Sequence, residues 1–155
     1  MITLKHISEV CRLLNEQGVH YTLIGGCAVF MHGYERTTQD IDMLVDDADA
    51  NIEKIKKALA HILPEACAEL LARDVKDNTV VRMSGEDLVV DLLGRVGDVD
   101  YHMSRSDLMH VVINGVDIPV AGVDTMLKLK EGMRDVDKRD YLFLKGKKEF
   151  LETKK

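Results

Sequence analysis

The chain has 155 residues, a formal net charge of −6, and a composition of 46% hydrophobic and 31% charged residues. This length and balance are typical of one globular domain with its own core. Because an acidic chain gains little from counterion release, we expect no broad nucleic-acid surface. No stretch approaches the roughly 20 apolar residues of a membrane span, and the N-terminus lacks a basic region followed by an apolar run. We therefore expect a cytoplasmic protein that binds no membrane.

The first half of the chain mixes helix and strand patterns. Apolar residues recur at helical spacing after Thr3, which can cap a helix, and Gly18 can end it. Two short apolar runs, 20–24 and 40–45, have the length and alternation of strands. The predicted elements of this half are a helix between Thr3 and Gly18, a strand over 20–24, a helix from 27 to about 32, a strand over 40–45, and helices over about 48–61 and 65–72.

The second half predicts more strands and two further helices. Residues 79–83 and 87–93 read as strands joined by the turn 84–86, and 94–107 reads as a loop with a turn of helix. Asn114-Gly115 is the favoured two-residue hairpin turn between the strands 109–113 and 116–120. Asp124 can cap a helix through Lys130, and a last helix runs from about 135 toward 151. We therefore expect an α+β fold, a mixed sheet flanked by helices in a single domain over 1–155.

Three aspartates are candidates for a metal site. Asp40 and Asp42 alternate in one strand, so their carboxylates lie on the same face, with Cα atoms roughly 6 to 7 Å apart. Like charges this close disfavour joint ionisation unless a cation lies between them. Oxygen ligands suit a hard ion, Mg²⁺ or Mn²⁺. Asp91, flanked by valines and leucines, is either a third ligand or part of a buried ion pair, and Asp87 is the alternative third ligand.

A phosphate site is predicted next to the aspartate pair. Gly25-Gly26 lies where an apolar strand opens into a helix, and exposed amides at such a point attract phosphate. Only thirteen residues separate this glycine pair from the aspartates. Arg36, in the polar link between them, can sit beside a triphosphate or pair with an acidic neighbour. Together these features predict a site for a metal-bound nucleoside triphosphate.

From Leu23 to Leu144 the chain resembles the polymerase-beta-type nucleotidyltransferase superfamily. The resemblance rests on Gly25-Gly26, on the segment 36–42 (Arg-Thr-Thr-Gln-Asp-Ile-Asp) and on the later Asp91. A C-terminal pattern joins them, with Leu127-Lys128 followed by Arg134, Asp137, Asp140 and Leu144. Within this superfamily the chain resembles the small prokaryotic members found in toxin–antitoxin and abortive-infection systems.

The resemblance implies a nucleotidyltransferase fold and a two-metal reaction. In it, a nucleoside monophosphate moves from a nucleoside triphosphate to a hydroxyl of a protein, an RNA or a small molecule. It implies a division of roles among nine residues: Asp40, Asp42 and Asp91 hold the metals, Gly25, Gly26, Arg36 and Thr37 contact the nucleotide, and Lys128 and Arg134 neutralise the leaving pyrophosphate. Asp137 and Asp140 are expected to be structural partners of Arg134 and Lys138.

Two other interpretations remain open. The chain can be a catalytically weak or inactive member, acting as the partner of a toxin or antitoxin chain or as a nucleotide-binding module. The aspartates can also be ion-paired structural groups in an unrelated α+β domain. Clustered carboxylates without a local cation partner favour the enzyme, because a scaffold has no physical need for them.

Overall fold

A six-stranded mixed sheet forms the centre of the computed structural model, which describes residues 1–130 and 135–154. The strands are β1 (Tyr21–Ile24), β2 (Ile41–Val45), β3 (Val81–Ser84), β4 (Val89–Leu93), β5 (Arg95–Val96), β6 (Val99–Asp100), β7 (Met109–Ile113) and β8 (Val116–Val120). The helices are α1 (Leu4–Glu16), α2 (Gly25–Met31), α3 (Asp49–Leu59), α4 (Pro64–Glu69), α5 (Asp74–Asp77), α6 (Tyr101–Ser104), α7 (Val123–Leu129) and α8 (Asp135–Thr153).

The strand order is β3-β4-β2-β1-β8-β7, with β5 and β6 forming a separate two-stranded ribbon. Strand β2 is antiparallel to β1 and parallel to β4, and β1 is parallel to β8. The predicted mixed sheet flanked by helices is therefore confirmed. Among the described residues, no helix combines the length and the apolar character needed to cross a bilayer.

The core is built around the two central strands, whose positions Leu23, Ile41, Met43 and Leu44 are fully buried. Helix α1 packs against α3 and β8 with the apolar face that its helical spacing predicted. Thr3 caps it as expected: its hydroxyl accepts the His6 amide hydrogen. The Asn114-Gly115 turn is also confirmed, with positive φ angles of 51° and 78° at its two residues.

One face of helix α8 packs against α2 and against the loop that follows α2. Phe143 stacks on Tyr34 with ring centroids 4.9 Å apart. Lys147 donates to the Nδ1 atom of His32 over 2.9 Å, which leaves the His32 Nε2 hydrogen for the carbonyl oxygen of Ala121 at 2.8 Å. Burial lowers the pKa of His32, which favours this neutral form. His32 is thus a structural residue that joins α2, α8 and the end of β8.

The structure differs from the sequence-based expectation in the helices after Pro64 and in the segment 94–107. Helix α4 ends at Glu69 rather than near Ala72, and the extra helix α5 follows it. Residues 94–107, expected to be mostly loop, contain β5, β6 and α6. Short elements of two to four residues carry too little hydrophobic periodicity to be recognised in a sequence.

The predicted cap of α7 is wrong. Helix α7 begins at Val123, so Asp124 lies within its first turn and pairs with Lys148 on the surface. The capping carboxylate is Asp107, which accepts the amide hydrogens of Asp124 and Thr125 and the hydroxyl hydrogen of Thr125. A side chain distant in sequence supplies this cap, so no local pattern indicates it.

We predict that Asp107→Ala lowers the free energy of unfolding by about 1–2 kcal/mol, because two amides and a buried hydroxyl lose their acceptor. Urea denaturation measures the change. Asp124→Ala is the matched control and should change stability little, since its carboxylate makes an exposed ion pair. A larger loss for Asp124→Ala than for Asp107→Ala would contradict the assignment.

Candidate metal and nucleotide site

Three carboxylates meet on one face of the sheet. Asp40 lies one residue before β2, and Asp42 in β2 pairs directly with Asp91 in the parallel neighbour β4. One oxygen from each of the three side chains lies within 4.8 Å of the others. Asp91 is only 5% exposed. An oxygen-only set at this spacing fits a hard divalent cation such as Mg²⁺ or Mn²⁺.

The cluster strongly perturbs Asp42. Burial raises the pKa of Asp42 to about 7, and the charges of Asp40 and Asp91 and a hydrogen bond with Asp91 act in the same direction. The Asp42 carboxyl therefore resists ionisation in the metal-free protein, and a bound cation would relieve this.

Arg82 makes direct ion pairs with two carboxylates of the cluster. It projects from edge strand β3, where it pairs with Asp91 in the register of the sheet. Its Nε and one terminal nitrogen donate to the two oxygens of Asp91, each over 2.9 Å, and the same terminal nitrogen donates to Asp40 over 2.9 Å. The hydrogen bond with Asp91 and the charges around it raise the pKa of Arg82. The ion-pair alternative for Asp91 thus has a specific partner.

The two glycines have different surroundings. Gly25 has a φ of +68°, and a Cβ atom there would overlap the carboxylate of Asp42, so the missing side chain makes room for the cluster. A Cβ on Gly26 would lie 2.9 Å from the Thr38 hydroxyl and 3.1 Å from a guanidinium nitrogen of Arg36. Strand β1 passes straight into α2 at this point, with no separate turn.

The carboxylates open into a cavity of about 560 Å³. It is large enough for a small-molecule ligand. Its walls come from the loop before β2, from β2, β3 and β4, and from the ends of α2 and α7. The lining residues are Gly26, Arg36, Thr37, Thr38, Gln39, Asp40, Asp42, Thr79, Val80, Arg82, Asp91, Leu93 and Lys130.

A buried aspartate of α8 fixes two of the cavity's cations. Asp140 is 1% exposed, and its carboxylate pairs with the guanidinium of Arg36 and, over 3.3 Å, with the ammonium of Lys130. The acidic partner predicted as one alternative for Arg36 is therefore present. Because Arg36 also lines the cavity, its contact with a triphosphate stays a prediction. Asp140 is a structural ion-pair partner, as expected, but among the described residues its partners are Arg36 and Lys130 rather than Lys138. Asp140 binds across the fold instead.

The structure separates the nine sequence-predicted site residues into groups. Six of them line the cavity: Gly26, Arg36, Thr37, Asp40, Asp42 and Asp91. Gly25 lies behind Asp42, and Lys128 is exposed on α7 and is not among the lining residues. Arg134 lies outside the described residues, as does the side chain of Asp137. Asp87, the alternative third ligand, is 85% exposed near His6 and away from the cluster.

Sequence reasoning missed two cations of the cavity, Arg82 and Lys130. The sequence does contain a local indication of Lys130, because the Leu-Lys pair at 127–128 recurs at 129–130. The direction of each side chain on the helix decides which of the two lysines faces the cavity. Arg82 can be found only from the pairing register of β3 and β4.

A second cavity of about 490 Å³ lies at the carboxyl ends of β2 and β4 and shares Thr79 with the first. Asp46 lies there, with its carboxylate 3.6 Å from a nitrogen of His20 and 3.9 Å from one of His102. The ring of His20 also stacks on Tyr101. Within the described residues the three-carboxylate cluster belongs to the first cavity alone.

Residues 3–145 match the model of a protein family described as "nucleotidyl transferase of unknown function" (DUF2204). The chain belongs to this family. The match includes every residue of the carboxylate cluster and both sides of the cavity. No curated protein matches the chain in sequence.

Solved structures show that this nucleotidyl transferase family member shares its fold with nucleotidyltransferase-like proteins. An antigenic nucleotidyltransferase-like protein from Paracoccidioides brasiliensis aligns with a TM-score of 0.62 and 16% identity, over 91% of this chain and 74% of its own. A candidate nucleotidyltransferase from Thermotoga maritima aligns with a TM-score of 0.56 and 16% identity, over 97% of this chain and 88% of its own.

We predict that Asp42→Asn stabilises the metal-free protein at neutral pH. The folded pKa of Asp42 is raised from 3.8 to about 7. Ionising this carboxyl therefore costs the wild type stability as pH rises between these values, and the variant is spared the cost. The difference in unfolding free energy should grow to roughly 2 to 4 kcal/mol.

Urea denaturation with a chelator present, at intervals from pH 4 to pH 8, measures this difference. Asp87→Asn is the control for the loss of one carboxylate, because Asp87 is 85% exposed and lies away from the cluster. Curves for Asp42→Asn and wild type that stay parallel across this range would show that Asp42 ionises freely.

We also predict that Gly25→Ala lowers the free energy of unfolding. Gly18 has the same φ of +68° but open space around it. Gly18→Ala therefore reports the backbone cost alone, about 1 kcal/mol. Gly25→Ala should lose about 1–3 kcal/mol more, because its methyl group pushes against Asp42. Equal losses for the two variants, measured by urea denaturation, would contradict the close approach of Asp42.

Proposed function

We propose that this protein is a metal-dependent nucleotidyltransferase that moves a nucleoside monophosphate from a nucleoside triphosphate to a hydroxyl of an acceptor. One observation carries the proposal: three carboxylates converge at the wall of a cavity that also contains Arg36 and Lys130. Carboxylates alone would repel a triphosphate and cations alone would repel a metal, so the combination fits a metal–triphosphate complex.

In this proposal Asp40 and Asp42 hold two divalent ions, and Asp91 completes the site of one of them. Bound Mg²⁺ or Mn²⁺ would supply activation of the acceptor hydroxyl and neutralisation of the triphosphate. The low exposure of Asp91 limits water at this point and strengthens its electrostatic interactions. The acceptor hydroxyl would lose its proton to water, its oxygen would form a bond to the α-phosphorus, and the bond to the leaving pyrophosphate would break.

The cations of the cavity would bind the triphosphate. Arg36 and Lys130 are positioned by their shared contact with Asp140, so they lose little side-chain freedom on binding. Their fixed charge beside the carboxylates suits the β- and γ-phosphates and the pyrophosphate that leaves. The Gly26 backbone and Thr37 lie in the same wall and complete the phosphate contacts.

Arg82 supports a second candidate function. Its ion pairs with Asp91 and Asp40 neutralise part of the cluster without a metal. If these pairs are permanent, the protein is a catalytically inactive member that binds nucleotide or serves as the partner of a toxin or antitoxin chain. Binding of divalent metal separates the two candidates, because only the enzyme requires it.

The test is calorimetric titration of ATP, GTP, CTP and UTP, each with Mg²⁺ or with a chelator. We expect the wild type to bind at least one triphosphate only when Mg²⁺ is present. Asp42→Asn should weaken this binding by at least about tenfold, because a ligand of the metal is lost. Asp87→Asn is the control and should bind as the wild type does. Absence of binding by the wild type under every condition would favour the inactive partner.

A further inference from the structure

Arg82 uses the oxygen atoms that a metal ion would need. Its hydrogen bonds take both oxygens of Asp91 and the Oδ2 atom of Asp40. A divalent ion held by the same cluster requires lone pairs from these carboxylates. The guanidinium and a metal therefore compete for one set of ligands, and their positive charges would also repel each other.

The position of Arg82 allows it to leave. Strand β3 is at the edge of the sheet, and the side chain of Arg82 is 57% exposed although its partner Asp91 is nearly buried. Met83, the next residue, is 1% exposed and anchors the strand in the core. The backbone can thus stay in place while the long side chain of Arg82 changes rotamer. Arg82 already lines the cavity, so its side chain can move within that space.

We propose that Arg82 is a displaceable counter-cation of the carboxylate cluster. Without metal it pairs with both Asp91 and Asp40. When a metal–triphosphate complex enters, Arg82 moves from the carboxylates to a phosphate oxygen. The first step, competition between Arg82 and a metal ion for the carboxylates, rests on the contacts of Arg82 alone. The second step, the move of Arg82 to a phosphate, also rests on the proposed nucleotidyltransferase function.

This exchange couples the two ligands. A metal ion alone must break the three hydrogen bonds that Arg82 donates to Asp91 and Asp40, so it binds weakly. A metal ion that arrives with a triphosphate offers the guanidinium a new acceptor, since arginine matches phosphate oxygens well. The binding of metal and of triphosphate is then mutually favourable, and the coupling is reciprocal. Arg36 and Lys130 cannot do the same, because Asp140 retains them.

Arg82→Gln should therefore change the affinities for two probes in opposite directions. For Mn²⁺ alone, measured by electron paramagnetic resonance, we expect about tenfold tighter binding than by the wild type, because the competing cation is gone. For magnesium tripolyphosphate, measured by calorimetry, we expect about tenfold weaker binding, because a phosphate contact is lost. Arg82→Lys keeps the charge and should bind Mn²⁺ about as weakly as the wild type.

Arg95→Gln is the matched control. Arg95 is 61% exposed, lies in the second cavity and pairs with Asp100 over 3.8 Å, so its loss should leave both affinities unchanged. Mn²⁺ binding by Arg82→Gln that equals or falls below that of the wild type overturns the proposal. A wild type that binds no magnesium tripolyphosphate contradicts the nucleotidyltransferase function, while the Mn²⁺ comparison still tests the first step.

A measurement on the wild type guards against a variant that fails to fold. The Nε–H resonance of Arg82, followed by nuclear magnetic resonance, should move toward the position of a solvent-exposed arginine as Mg²⁺ is added without nucleotide. A resonance that keeps its carboxylate-bonded position while Mg²⁺ binds would show that the ion does not displace Arg82, and the proposal would fail.

Discussion

The pairing of β2 with β4 sets the central constraint on this protein. Because the strands are parallel and Asp42 stands opposite Asp91, two carboxylates lie side by side on a partly buried surface, with Asp40 beside them. Their repulsion opposes folding unless something compensates it. The neighbouring features all respond to this constraint. Gly25 makes space for Asp42, and Arg82 supplies positive charge from the adjacent strand.

The positive charges of the cavity fall into two kinds. Arg36 and Lys130 share a buried anchor in Asp140, and their positions are fixed by the fold. Arg82 is bound to the carboxylates themselves and is largely open to solvent. A site with both kinds of cation can attract an anion permanently through Arg36 and Lys130. It can also exchange Arg82, the cation bound to the carboxylates, for another. In the catalytic interpretation this division lets one part recognise the triphosphate while the other admits the metal.

The sequence was informative wherever a feature is local. Alternation placed Asp40 and Asp42 on one face, and a carboxylate among valines and leucines singled out Asp91, which the structure brings beside them. The Asn114-Gly115 turn and the Thr3 cap are local in the same sense, and the structure contains both.

Features that depend on long-range register escaped the sequence. A three-residue turn over 84–86 would set Arg82 opposite Leu88, whereas the structure pairs it with Asp91, so the ion pair could not be foreseen. The contact of Asp140 with Arg36 joins residues 104 positions apart, and Asp107 caps a helix from 17 and 18 positions away. Such contacts follow from how the elements assemble, and no local propensity encodes them.

The anchoring of Arg36 by Asp140 also bears on the order in which the protein becomes functional. Helix α8 follows all strands of the sheet in the chain, and it meets the earlier elements through Asp140, Phe143 and Lys147, which share one face. On the ribosome, the sheet and its carboxylates are synthesised before this helix emerges. At that stage the nascent chain contains the carboxylates of the cavity but lacks Asp140, which fixes Arg36 and Lys130. The contact that fixes Arg36 and Lys130 at the cavity therefore forms only after translation has delivered α8.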